Sequence, residues 1–270
     1  MFEAYGHLCV GIDPHPYLLE RWGLTDDAAG LREFGLRVVD AAAGRAGIVK
    51  PQIAFFERHG SAGYAALEET IAAARAVGIL VISDVKRGDL GTSVEAYGQA
   101  WLTPGSPLEA DAMTISAYQG VGSISAPIAL AAEHGKGLFV LAATSNVESF
   151  TVQTASVTRG RGVGRSVAAS IVEEVNTANV APLGAIGVVI GATVDLADYG
   201  LTAADFSTTP VLAPGFGFQG AGFDRIHDLF GDSARNVVVS SSRAILEAGH
   251  LRIADAIESQ TRELAEVYPA

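Results

Sequence analysis

The sequence predicts a single (β/α)8 barrel, and three observations predict it. Eight short apolar runs alternate with helical stretches along 270 residues. That length suits such a barrel, which typically takes about 250 residues. Polar residues able to do chemistry follow nearly every apolar run. A barrel gathers its active site at the carboxyl ends of many strands. An open doubly wound sheet, the structural alternative, concentrates it at one switch point. No linker or low-complexity tract interrupts residues 1–270, so they read as one barrel domain.

The runs read as strands are Leu8–Asp13, Gly47–Lys50, Leu80–Asp84, Ala112–Ser116, Leu138–Ala143, Ile186–Ile190, Pro210–Leu212 and Val237–Ser240. Each is almost continuously apolar, as parallel strands buried on both faces are. Helical apolar spacing marks Gly63–Val77, Val121–His134, Ser166–Thr177 and Ile253–Val267. Residues Val147–Gly164 read instead as one long polar loop, with Arg159, Arg161 and Arg165 in or beside it. Long loops at a barrel mouth often serve as lids.

Composition narrows the function. Apolar residues make up 49% and charged residues 18%, which suits a large buried core and argues against disorder. A net charge of −12 disfavours nucleic acid as a partner. An anionic substrate would need a local cluster of cations to overcome that field. Cys9 is the only cysteine and the six histidines are scattered, so neither a disulfide nor a metal site is expected. The N-terminus has no signal-peptide pattern, and no apolar run reaches the roughly 18 residues of a membrane span. The expectation is a cytoplasmic protein without a membrane partner.

Two clusters could carry chemistry. In Asp84-Val85-Lys86-Arg87-Gly88-Asp89, residues two apart on a strand share a face, so Asp84 and Lys86 point together. Lys50, one strand earlier, can reach the same space, and Asp89 lies just beyond. Alternating charges at this spacing can hold one another ionised. A purely structural ion-pair network would use the same residues. The second cluster is the pair of loops after the last two strands. Gly215, Gly217 and Gly220 leave backbone amides open, Gln219 can donate its amide, and Arg243, beside Ser242, can clamp phosphate oxygens. Phosphate sites recur at this place in such barrels. Asp13 could accept sugar hydroxyls or initiate a turn ahead of Pro14. Thr92 and Ser93 could cap a helix or meet a ligand, and Ser145 with Asn146 could bond a planar base edge or end a strand.

Together these stretches resemble the orotidine 5′-monophosphate decarboxylase family. The resemblance runs along nearly the whole chain: Gly-Ile-Asp13, Val-Lys50-Pro-Gln, Ser-Asp84-Val-Lys86-Arg-Gly-Asp89, Ala-Thr-Ser145-Asn, Pro-Gly-Phe-Gly-Phe-Gln219-Gly and Ser-Ser-Arg243. Val-Lys-Pro-Gln-Ile-Ala-Phe-Phe-Glu looks like the longer bacterial branch. The resemblance implies cofactor-independent decarboxylation of orotidine 5′-monophosphate to uridine 5′-monophosphate in de novo pyrimidine synthesis. It implies Lys50, Asp84, Lys86 and Asp89 as catalytic residues, with Lys86 protonating C6. It also implies a homodimer in which the partner supplies Asp89. Asp13 would bind the ribose, Ser145 would face the pyrimidine, and Gln219 and Arg243 would hold the phosphate, with Gly220 and Ser242 also among the substrate-binding residues. The family usually has threonine four residues after the last Asp of its motif; here that position is Ser93, next to Thr92. Rival readings are a metal-dependent sugar-phosphate decarboxylase, a Schiff-base aldolase and a non-catalytic nucleotide-binding barrel.

Overall fold

Apolar runs of four to eight residues are too short to bury themselves as helices, and they pair instead as strands. The computed structural model describes residues 2–179, 182–217 and 220–268. Its strands are β1 (Leu8–Ile12), β2 (Ile48–Pro51), β3 (Leu80–Arg87), β4 (Ala112–Ile115), β5 (Gly137–Ala143), β6 (Ile186–Ile190), β7 (Val211–Pro214) and β8 (Val237–Ser241). They form a closed barrel in sequence order, every neighbouring pair parallel. Closure is made by β1 against β8, with Leu8 opposite Val239 and Cys9 opposite Ser240. The predicted (β/α)8 barrel is therefore the observed fold.

Parity organises the interior. Cys9, Ile48, Ile82, Ala112, Phe139, Val189, Leu212 and Val238, one from each strand, form an apolar layer inside the barrel. The alternate strand residues, such as Val10, Val49, Val81 and Met113, join the larger core between sheet and helices. Phe2 packs under the inner layer from the amino-terminal side. Its ring stacks on His7 at 4.2 Å, and His7 stacks on Tyr268 at 3.9 Å. A cavity of about 770 Å³ lies at this floor and involves none of the charged residues predicted for the site.

Two expectations are corrected. The stretch Val121–His134 is not one helix but a 3₁₀ turn, Val121–Ile124, followed by an α-helix, Ser125–His134. Pro127 lacks the N–H that a continuous helix would need there, and it is tolerated only in the first turn of a new one. Val147–Gly164 is not an unstructured loop. It contains the helix Ser149–Gln153. Beyond it an antiparallel bridge joins Ser156 to Ser166, and the Val157 amide donates to the Arg165 carbonyl at 2.9 Å. Arg165 pairs with Glu173 at 3.0 Å, while Arg159 and Arg161 are exposed and form no ion pair among the described residues.

Candidate active site

Two residues above the inner apolar layer the strands change character. From Ile48 the next inward position is Lys50, from Ile82 it is Asp84, and from Ala112 it is Thr114. These three side chains, buried inside the barrel, are polar on neighbouring strands. The Lys50 ammonium donates to Asp84 Oδ2 at 2.7 Å, and Thr114 Oγ1 donates to Asp84 Oδ1 at 2.8 Å. Lys86 Nζ also donates to Oδ1, at 2.6 Å. The Gln52 carboxamide fills the remaining gap, its nitrogen donating to Asp84 Oδ2 and its oxygen accepting from Lys86 at 3.3 Å. One carboxylate thus receives donors from β2, β3, β4 and the turn after β2.

Burial alone would favour the neutral acid at Asp84, but the Lys50 and then the Lys86 ammonium outweigh it and hold the carboxyl well below the ordinary range. Burial likewise opposes the charge on Lys50; Asp84 and Asp13 reverse that and hold its pKa above the ordinary lysine value. The two lysines differ in access. The Lys50 side chain is 8% exposed, the Lys86 side chain 45%, so Lys86 is the ammonium that a ligand at the barrel mouth can meet. Below them, burial pushes the Cys9 thiol up to about 12, which keeps it a neutral part of the floor.

A second polar group joins β1 to β8. Ser242 donates to Asp13 Oδ2 at 2.5 Å, and Gly11 makes that approach possible, since a Cβ there would lie 2.6 Å from the Ser242 Cβ. The turn at Pro14 is closed by the Asp13 backbone carbonyl, which accepts from the His15 amide at 2.8 Å. The side chain is therefore not spent on the turn, and its Oδ1 is buried with no hydrogen-bond partner among the described residues. Arg243 opens the short helix Arg243–Leu246, directly after this contact. Burial, with the nearby Arg243 charge and against that of Asp13, lowers the pKa of His15. Across from it, Gly215, Gly217 and Gly220 all have positive φ. A Cβ on Gly217 would come within 3.3 Å of the Ala244 Cβ, so the loops after β7 and β8 touch.

The comparisons with known proteins decide the family. Residues 6–256 match the model of the Orotidine 5′-phosphate decarboxylase / HUMPS family. The chain belongs to this family. A Salinispora tropica protein named orotidine 5′-phosphate decarboxylase is 49% identical over 90% of this chain and 86% of its own. One of the same name from Streptomyces coelicolor is 49% identical over 92% and 87%. A solved structure from Streptomyces avermitilis, named provisionally as an orotidine 5′-phosphate decarboxylase, superimposes with a TM-score of 0.92 at 45% identity, covering 100% of this chain and 93% of that one.

Of the site residues expected from the sequence, Lys50, Asp84 and Lys86 meet directly, and Asp13 meets Ser242. Asp89 does not join them within the chain: its carboxylate accepts from the Leu90 amide at 2.9 Å. Thr92 and Ser93 sit exposed in the first turn of the helix Gly91–Leu102 and do not cap it; the N-cap position is Leu90. Ser145 is exposed beyond β5, in a turn held by Gln153, which accepts from the Thr144 amide at 2.8 Å. Asn146 is engaged by Thr144 and Glu148. Gln219 lies outside the described residues. Gln52 and Thr114 carry no distinctive sequence signal, although a two-residue step from Lys50 into the turn after β2, and from Ala112 along β4, reaches them.

Lys50 and Asp84 are a buried pair, and removing one partner of such a pair costs about 3–5 kcal/mol. Lys50→Met is expected to lower the unfolding free energy by that amount in urea titrations. The depressed Asp84 pKa stabilises above its ordinary 3.8 and the effect fades as pH falls through the folded value. The raised Lys50 pKa stabilises below its ordinary 10.5 and the effect fades as pH rises through the folded value. The difference between parent and variant should therefore be flat from pH 5 to pH 9; a marked slope there would contradict the assigned charge states.

Proposed function

We propose that the chain converts orotidine 5′-monophosphate to uridine 5′-monophosphate in de novo pyrimidine synthesis, as the name of its relatives suggests. The observation that carries this reading is the Asp84 carboxylate gripped by two ammonium groups, one of which, Lys86, faces the barrel mouth. When the bond from C6 to the carboxylate breaks, its electron pair stays on C6 and CO₂ departs. An ammonium held beside that carbon stabilises the developing charge, then transfers a proton to C6 and recovers one from water. Lys86 suits this role better than Lys50 because only Lys86 is open to a ligand. Asp84, next to the departing carboxylate, raises the ground state by repulsion that CO₂ loss relieves. This scheme uses no cofactor and no metal. Both Asp84 oxygens are already taken by donors, which leaves little for a cation.

Remote contacts supply the binding energy that orients the ring. Asp13 Oδ1, buried and without a partner among the described residues, is a ready acceptor for a ribose hydroxyl. Arg243, Ser242 and Gly220 on the touching loops after β7 and β8 suit a phosphate, with Gln219 assigned to it from the sequence alone. Ser145 reaches the pyrimidine edge, and one hydroxyl of Thr92 or Ser93, both exposed in the first turn of Gly91–Leu102, contacts substrate. We assign Asp89 to the site of a second subunit, in a homodimer working in the cytoplasm. Support comes from its lack of any tie to Lys50 or Lys86 in its own chain, and from exposed Leu90, Tyr97 and Tyr118 around the same strand ends.

Lys86→Ala should fold normally yet lose turnover, followed as loss of substrate absorbance in excess EDTA; near-normal rates would refute the role. In Arg243→Ala, KM should rise strongly, and an unchanged KM would remove the phosphate assignment. Mixing Lys86→Ala subunits with Asp89→Asn subunits should restore turnover that neither has alone, because one site per mixed dimer is intact. No recovery in verified mixed dimers would place Asp89 outside the shared site.

A further inference from the structure

Lys86 is the one non-glycine residue with positive φ among the described residues, at 47°. An L-residue pays steric strain there and needs surrounding contacts to hold it. At the same place the pairing of β3 with β4 loses register: Ser83 lies opposite Met113, but Arg87 lies opposite Ile115. Four residues of β3 thus span two of β4, and the extra chain forms a bulge. One side chain bridges the bulge. The Thr114 hydroxyl accepts from the Lys86 backbone amide at 3.0 Å and donates to Asp84 Oδ1 at 2.8 Å. It is 1% exposed, so bulk solvent does not compete for either bond. On the far side the Arg87 carbonyl accepts from the Ser116 amide at 2.7 Å, which pins the end of the bulge to β4.

We propose that Thr114 is a positioning residue for the reaction. Its hydroxyl holds the Lys86 backbone in its strained conformation and fixes the carboxylate against which the Lys86 ammonium rests. Without it, β3 can relax towards regular strand geometry, and the ammonium moves away from the reacting carbon. The inference rests on Lys86 being the proton donor.

Misplacement of a catalytic group by about 1 Å can cost around 10²-fold in rate. Thr114→Val keeps the shape and removes both bonds. Its kcat per site, with sites counted by uridine 5′-monophosphate binding, should fall by about that factor while KM changes less than about twofold. Thr114→Ser keeps the hydroxyl and loses only a methyl, so it should stay within about threefold of the parent kcat. A residue serving stability alone would lower the melting temperature of Thr114→Val without lowering kcat per site, and that result would overturn the inference. A tenfold loss in Thr114→Ser would overturn it as well, including where Thr114→Val fails to fold. Lys86→Ala separates the two levels. If that variant is inactive and Thr114→Val has normal kcat, only the Thr114 role fails; if Lys86→Ala turns over normally, the proton-donor reading fails and this inference with it.

Discussion

A carboxylate buried between two ammonium groups is the constraint on which the rest of this site depends. Asp84 could not stay ionised inside an apolar barrel by itself, since desolvation favours the neutral acid. Lys50 could not stay charged there either. Each is stable only because the other is present, and the hydroxyl of Thr114 and the amide of Gln52 complete the coordination of the carboxylate. The arrangement leaves Lys86 tethered at one end and open at the other. A charge held in that way costs little to reorganise during a reaction, which is where electrostatic catalysis gains most.

The barrel makes this possible by parity. Every strand contributes one side chain to an inner apolar layer, and the next inward step on β2, β3 and β4 is polar. The apolar layer closes the interior beneath the charges, so water reaches them only from the mouth. Strand β3 departs from regular geometry at Lys86, where the bulge and the positive φ occur together. The irregular residue is also the one assigned the proton. The loops after β7 and β8, in contact through Gly217 and Ala244, put Arg243 at the same mouth and beside the Asp13–Ser242 contact.

Much of this was legible along the chain. Near-continuous apolar runs marked the strands to within a few residues, and the helix Ile253–Val267 fell where its spacing placed it. Asp84 and Lys86 were recognisable as sharing a face. Less legible were Thr114 and Gln52, single polar residues that carry no distinctive pattern of their own. The ordered helix inside Val147–Gly164 was hidden because its stability comes from Ser149 and Gln153 bonding back to the Thr144–Asn146 turn, not from an apolar stripe.

The sequence by itself determined the order of strands, the parity of their side chains and the chemical types available at each strand end, because these depend on local periodicity and composition. Only the tertiary structure decided which of those groups share a proton-bonding network, which lysine is buried and which is open, and that Asp89 is not brought to the others within its own chain. Those outcomes follow from barrel closure, strand register and one bulge, and all three are set by contacts between residues far apart along the chain.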